Sequence, residues 1–383
     1  MRICLVNVVL DEALLVPETI FERYWHPVAL AGALAEMGHD VTMLQAAPLT
    51  ATTTTGDIRV RLVREDEMTR SGGGYRFPRN PRQTLATLAE ERPAVVHFFG
   101  LTLHAPLRHV ADFCRVRRTP LTVSYHGGLP ARHPLRRLRQ RRALSGVSRF
   151  IFTTHFHAQP WLDARVIADS ARVAEIMEVS SPFRGLPRAQ ARQRLGLTGD
   201  PVFVWSGRLC SLKDPLTALR GFARIAGSWK ESRLYMAFAT DELRSEVQQF
   251  IAEEGLGGHV KLLGRLPHRD MEALFSGGEF FLQASHREWG GNSLLEAMSC
   301  GAIPVVTDIP SFRAITSAGR FGRLFPIGDD HALAASVTAL EPTEIQQLGA
   351  SIRKHFQQNL SYPALARSYE RLFSAAGSEF SGR

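Results

Sequence analysis

Residues 279–308 read EFFLQASHREWGGNSLLEAMSCGAIPVVTD. The apolar run Glu279–Leu282 predicts a buried strand, and a polar, glycine-bearing loop follows from Gln283 to Gly291. Leu294–Met298 places apolar residues at helical spacing, Gly301 stops that helix, and Ile303–Val306 opens another strand. Strand, loop, helix, strand is the repeating unit of a parallel α/β sheet. Ligands of such sheets sit at the carboxyl ends of the strands, which is where this loop must lie.

The loop carries polar groups of several kinds. Glu288 accepts hydrogen bonds from hydroxyls, and Gly290 and Gly291 let a ligand approach the backbone closely. Asn292 and Ser293 stand at a helix start, whose free N–H groups favour an anion such as a diphosphate. Glu296, one turn on, is a poor neighbour for phosphate but suits a ribose diol. Together these groups describe a pocket for a nucleoside diphosphate carrying a sugar. A purely local reading competes: Ser293-Leu-Leu-Glu296 has the spacing of a capping box, in which both side chains only satisfy helix-end donors.

The pair Glu288 and Glu296, seven residues between them and Gly291 among the seven, resembles glycosyltransferase family 4. These are retaining, nucleotide-sugar-dependent enzymes of GT-B fold. The family's turn reads Gly-x-Gly, and this chain has Trp289 at its first position. A second stretch carries the same resemblance. After the predicted strand Val202–Ser206 come Gly207-Arg208-Leu209 and Lys213-Asp214-Pro215, then the helix Leu216–Ile225. A guanidinium and an ammonium aimed at a departing diphosphate offset its growing negative charge. The competing reading has Lys213 and Asp214 only capping that helix and pairing on the surface. The resemblance also implies that Gly264-Arg265-Leu266, after the strand Val260–Leu263, borders the nucleobase. It implies that His126, with Gly127 and Gly128 at the end of the strand Leu121–Tyr125, sits against the transferred sugar, although a lone histidine is more often structural.

The fold class expected is therefore α/β, GT-B: two facing doubly wound parallel-sheet domains with a cleft between them. Residues 1–180 form the acceptor-side domain and 181–359 the donor-binding domain. The proline-rich Ser180–Pro187 is the linker, and a helix at 360–375 returns to the first domain. The activity implied is retaining transfer from a nucleoside-diphosphate sugar to an unidentified hydroxyl acceptor, by front-face substitution and without a metal or cofactor. Arg208 and Lys213 hold the diphosphate, Glu296 the ribose, and Glu288 with Gly290–Gly291 the sugar. Two rivals stay open: another GT-B enzyme such as a sugar-nucleotide epimerase, and a non-catalytic sugar-nucleotide-binding scaffold.

Composition bounds the rest. A chain of 383 residues is long for one core. No apolar run reaches the ~20 residues that cross a bilayer, and the start MRICLVNVVL reads as a strand, not a signal peptide. Cys4, Cys114, Cys210 and Cys300 lack paired spacing, which argues against disulfides or zinc and for a cytoplasmic protein. Net charge is +9, mostly from arginine. Without zinc-finger or RNP-like motifs, nucleic acid is not the expected partner. Arg132–Arg142, RHPLRRLRQRR, has no acid; it reads as a solvated helix face, with weak contact to an anionic membrane as the alternative. Gly72-Gly73-Gly74 reads as a surface loop, His155 and His157 as a strand end or loop, and Ala375–Arg383 as a frayed tail.

Overall fold

The computed structural model describes residues 1–20, 25–70 and 74–381. Gly72 and Gly73 lie outside the described residues. The chain forms two compact units, Met1–Val179 with Tyr362–Arg383, and Ser180–Ser361.

In the first unit the strands are β1 (Arg2–Asn7), β2 (Asp40–Ala46), β3 (Ala51–Thr55), β4 (Ile58–Val63), β5 (Met68–Arg70), β6 (Arg76–Pro78), β7 (Val95–Phe99), β8 (Leu121–Ser124), β9 (Arg149–Phe152) and β10 (Val173–Glu175). Among the described residues β5 and β6 pair as a separate hairpin, and the other eight form one sheet in the order β10-β9-β8-β7-β1-β2-β4-β3. Its pairings are parallel except for β3 with β4. Helices cover the strands, so β7 and β8 are buried along their whole length, the polar His97, Thr122 and Ser124 included.

The helix Tyr362–Ser381 belongs to this unit. It delivers Tyr362, Leu365, Ala366, Tyr369 and Phe373 into the core that holds Ile3, Leu5, Leu30 and Val41. It runs past the expected end at residue 375, and the tail expected to fray continues as helix to Ser381, because Ala376 is still fully buried. A second correction concerns His155 and His157. They lie in a helix, His155–Asp163, not in a strand end. His157 is buried, with its ring 3.1 Å from the Thr154 hydroxyl.

In the second unit the strands are β11 (Val202–Gly207), β12 (Arg233–Phe238), β13 (Val260–Gly264), β14 (Phe280–Gln283), β15 (Ile303–Thr307) and β16 (Arg323–Phe325). They pair in parallel in the order β13-β12-β11-β14-β15-β16. Counted from the unit's first strand this is 3-2-1-4-5-6, the doubly wound order whose winding reverses between β11 and β14. Stacking of Phe203 on Phe280, ring centroids 4.8 Å apart, ties those two strands beneath the reversal. Both units are thus doubly wound, mainly parallel sheets flanked by helices, the two-unit GT-B architecture that the resemblance implied.

A chain ending at Ser361 leaves the first unit without five core side chains, each worth about 1–3 kcal/mol when buried. Such a truncation is expected to lose the cooperative melting of that unit in calorimetry, while the second unit keeps its own transition. An unchanged thermogram would show that the helix is dispensable.

Candidate functional site

A reversal of winding leaves a crevice at the carboxyl ends of the two central strands. Here those ends are Gly207 on β11 and Gln283 on β14. A recess of about 330 Å³ opens beside β11, and its lining includes Gly207, Arg208, Lys213, Arg265, Leu266 and Met271. Five of these were singled out in the sequence; Met271, on the helix His268–Gly277, was not. No carboxylate lines the recess. Arg208 and Arg265 are exposed, and neither side chain makes a hydrogen bond or ion pair among the described residues. Gly264 ends β13 at φ +67°, a turn that delivers Arg265 and Leu266 to this rim.

The loop after β14 is anchored from three sides. The His286 amide donates to the Leu212 carbonyl at 2.9 Å. The Thr307 hydroxyl donates to the Ser285 carbonyl at 2.5 Å, and the Ser311 hydroxyl to the Glu288 carbonyl at 3.1 Å. Within it Lys213 and Glu288, expected to serve diphosphate and sugar separately, form an ion pair through Nζ and Oε1. Ser285 Oγ donates to the same carboxylate oxygen at 2.8 Å. Asp214 behaves as the capping alternative anticipated: at φ +41° it accepts from the Thr217 amide at 3.1 Å and hydroxyl at 2.7 Å, and its other contact is His286 Nε2 at 3.0 Å. Lys213 takes no part in that cap.

The helix Asn292–Cys300 begins at Gly291, which sits at φ +65°. A Cβ there would lie 2.8 Å from Ile315 Cδ1, so glycine is required twice over. Because the cap is Gly291, Ser293 lies inside the helix and the capping box is not formed; no side chain caps this end. Glu296 is therefore released from that role. Its side chain makes no hydrogen bond or ion pair among the described residues, and burial pushes its carboxyl up from 4.5 to about 8. Gly290, Gly291, Asn292, Ser293 and Glu296 do not line the recess beside β11. The structure thus makes two neighbouring groups, the recess and the helix start, joined by the Lys213–Glu288 pair.

In the first unit His126 follows β8 at its carboxyl end, and Gly127 turns the chain at φ +98°. Its Nε2 lies 2.8 Å from Ser124 Oγ and its Nδ1 3.3 Å from Glu178 Oε2. The Thr153 hydroxyl donates to the other Glu178 oxygen at 3.1 Å. Glu178 was not anticipated. The signal available was one acid in the otherwise uncharged run Ile176–Phe183. Among the described residues no group of three or more His, Cys, Asp or Glu is placed to hold a metal ion.

Comparison with known proteins agrees with this architecture. Residues 187–359 match the model described as glycosyl transferases group 1, and residues 25–176 that of the glycosyl transferase 4-like domain. The D-inositol 3-phosphate glycosyltransferase of Thermobispora bispora is 29% identical over 187 residues, 45% of this chain and 43% of that protein. The mannosylfructose-phosphate synthase of Agrobacterium fabrum is 27% identical over 194 residues, 49% of this chain and 39% of that protein. The GDP-mannose:cellobiosyl-diphosphopolyprenol alpha-mannosyltransferase of Xanthomonas oryzae pv. oryzae is 26% identical over 279 residues, 70% of this chain and 69% of that protein. The chain thus spans less than half the length of the first two relatives. Among solved structures, a glycosyltransferase from Rickettsia africae superposes with a TM-score of 0.72 at 13% identity, covering 98% of both chains. Anabaena HepE in complex with UDP-glucose gives 0.65 at 15% identity, covering 98% of this chain and 100% of that one.

The raised Glu296 carboxyl has a consequence for stability. A carboxyl whose folded value exceeds its unfolded one stabilises the fold fully below about pH 4.5, loses that contribution as pH rises to about 8, and is flat above. Glu296→Gln removes the charge and is expected to be the more stable protein at pH 8.5, by about 1–3 kcal/mol after allowance for residual solvation. The two should be nearly equal at pH 5. Parallel urea titrations at both pH values check this, and equal differences at the two would contradict it.

Proposed function

We infer the function from the premise that this chain belongs to the family 4-like glycosyltransferases of GT-B fold: it moves a sugar from a nucleoside-diphosphate sugar to a hydroxyl acceptor. The observation that carries the reading is the acid-free recess at the carboxyl ends of β11 and β12, where Arg208 and Arg265 stand without counter-charges beside Lys213. Uncompensated cations around a concavity at strand ends suit a multiply charged anion. UDP-glucose in the HepE complex and GDP-mannose in the Xanthomonas relative's name support a nucleotide-sugar donor for this reading.

In this reading Lys213 leaves Glu288 for the diphosphate, and Glu288, held by Ser285, takes a sugar hydroxyl. Gly290 and Gly291 bring backbone close to that sugar. The amides of Asn292 and Ser293 at the helix start add positive field. Glu296, without a partner, accepts from the ribose diol. Arg265 and Leu266 border the base. Bond breaking between the anomeric carbon and the diphosphate oxygen leaves charge on that oxygen. The same oxygen takes the acceptor's proton while the acceptor oxygen bonds the anomeric carbon on the same face, so configuration is retained. Neutralisation falls to the side-chain cations, which are already in place. His126 and Gly127 are the first unit's contribution to transfer.

We further assign the helix Pro134–Leu144 a weak, peripheral contact with the anionic inner face of a membrane, for a protein of the cytoplasm. Leu135 and Leu138 are exposed one turn apart, among Arg136, Arg139, Arg141 and Arg142, none of which is ion-paired among the described residues. No helix of the described residues is long and apolar enough to cross a membrane.

A thermal-shift screen of UDP, GDP and ADP sugars is expected to raise the melting temperature with one base class. Lys213→Ala, Arg208→Ala and Glu296→Ala should each lower kcat/KM by on the order of a hundredfold. Binding without diphosphate release in the presence of any acceptor would instead favour a scaffold, and isomerised donor an epimerase. Sedimentation with vesicles containing phosphatidylserine should fall with added salt, and in a Leu135→Ser/Leu138→Ser variant; salt-independent or absent binding would remove the membrane assignment.

A further inference from the structure

We propose that Glu178 is a positioning residue for His126: it fixes the imidazole in one tautomer, so that the ring offers a substrate its face and not a nitrogen. The proposal rests on the reading that His126 takes part in transfer. Its geometry stands independently. With the Glu178 carboxylate oxygen Oε2 3.3 Å from Nδ1, charge attraction favours a ring proton on that nitrogen. That leaves Nε2 as the lone-pair nitrogen, and the Ser124 hydroxyl, 2.8 Å away, donates to it. One nitrogen of the ring is then filled by Ser124, and the other lies against the Glu178 charge, both within the same unit.

The holder is itself held. Glu178 is almost fully buried, and its second oxygen accepts from the Thr153 hydroxyl at 3.1 Å. A buried carboxylate without such donors is strongly disfavoured, so His126 and Thr153 stabilise Glu178 as it orients the ring. The three groups lie in the order of a Ser-His-Glu nucleophilic triad, but Ser124, the last residue of β8, has no exposed surface, so it offers no nucleophile to a substrate. Phe99 lies beside the ring, with centroids 5.8 Å apart. About a third of the His126 side chain nevertheless stays exposed, 34%. With Nε2 held by Ser124 and Nδ1 turned to Glu178, the exposed part of the ring offers a substrate its face.

Long-range ¹H–¹⁵N correlation spectra of the ¹⁵N-labelled full chain, with the His126 signals identified by their loss in His126→Ala, read the tautomer directly. The Nδ1–H form is expected in the wild type and in Glu178→Gln, whose amide oxygen still accepts, and its loss in Glu178→Ala. An Nε2–H ring in the wild type, or a spectrum unchanged by Glu178→Ala, overturns the proposal. In diphosphate release from the sugar nucleotide selected by thermal shift, Glu178→Ala should lower kcat about ten- to a hundredfold with the donor KM unchanged, and Glu178→Gln should restore most of it. Equal losses in the two variants, both melting near the wild type, also overturn it. A fully active His126→Ala would instead sink the role given to His126 in transfer, and leave the tautomer result to stand or fall by itself.

Discussion

The ion pair between Lys213 and Glu288 is the constraint around which the second unit's crevice is arranged. The two residues lie 75 positions apart, one in the loop after β11 and the other in the loop after β14. These loops depart from adjacent strands at the point where the winding reverses, so their helices lead away to opposite sides of the sheet. Both side chains are largely shielded from water. Desolvating two ions costs several kcal/mol, which only close contact and further hydrogen bonds offset. Ser285 supplies one such bond, and the His286 amide on Leu212 holds the two backbones at the required distance. The pair thus links the two loops on either side of the reversal.

Charges at the two ends of this sheet are treated differently. At the amino end of β14, Glu279 is buried and fully matched: Arg192 meets it with one nitrogen at 2.8 and 2.6 Å from the two oxygens, Arg188 approaches to 3.1 Å, and the Val202 amide donates at 2.7 Å. That cluster stitches the helix Arg188–Leu195 to the strands. At the carboxyl ends Arg208 and Arg265 have no partner among the described residues, and Glu296 has none either. A group that serves the fold is neutralised by the fold. The two arginines in the recess are left unmatched by it.

How much of this was legible follows from where the information sits. Buried parallel strands show as apolar runs whatever their partners, so β11 and β14 were readable to within a residue or two. Strand β3, Ala51–Thr55, was not: it pairs antiparallel at the sheet edge and turns alternate threonines to solvent, so it reads as a polar loop. The helix Arg188–Leu195 buries only Ala191, and so has no apolar stripe to find. In His155–Asp163 the internal Pro160 and the alternating histidines masked a helix. In the candidate site, Gly207, Arg208, Lys213, Arg265 and Leu266 could be singled out because they lie at or just after strand ends, and Met271, on a helix, could not. The Lys213–Glu288 pairing and the contact of Glu178 with His126 were not, since they join positions far apart in the chain. The capping-box spacing at Ser293 misled for a local reason: a left-handed glycine two residues earlier starts the helix sooner.

The helix Tyr362–Ser381 completes a core whose other members come from the first 151 residues and from elsewhere in the first unit. On the ribosome, that core waits for its closing piece until all of Ser180–Ser361 has been synthesised. The contiguous unit has its strands and helices in one uninterrupted stretch and can condense by itself; the discontinuous one stays open for the time it takes to translate an entire neighbour. During that interval a parallel sheet's apolar face lacks part of its cover, which makes the growing chain a client for chaperones at one end and not at the other.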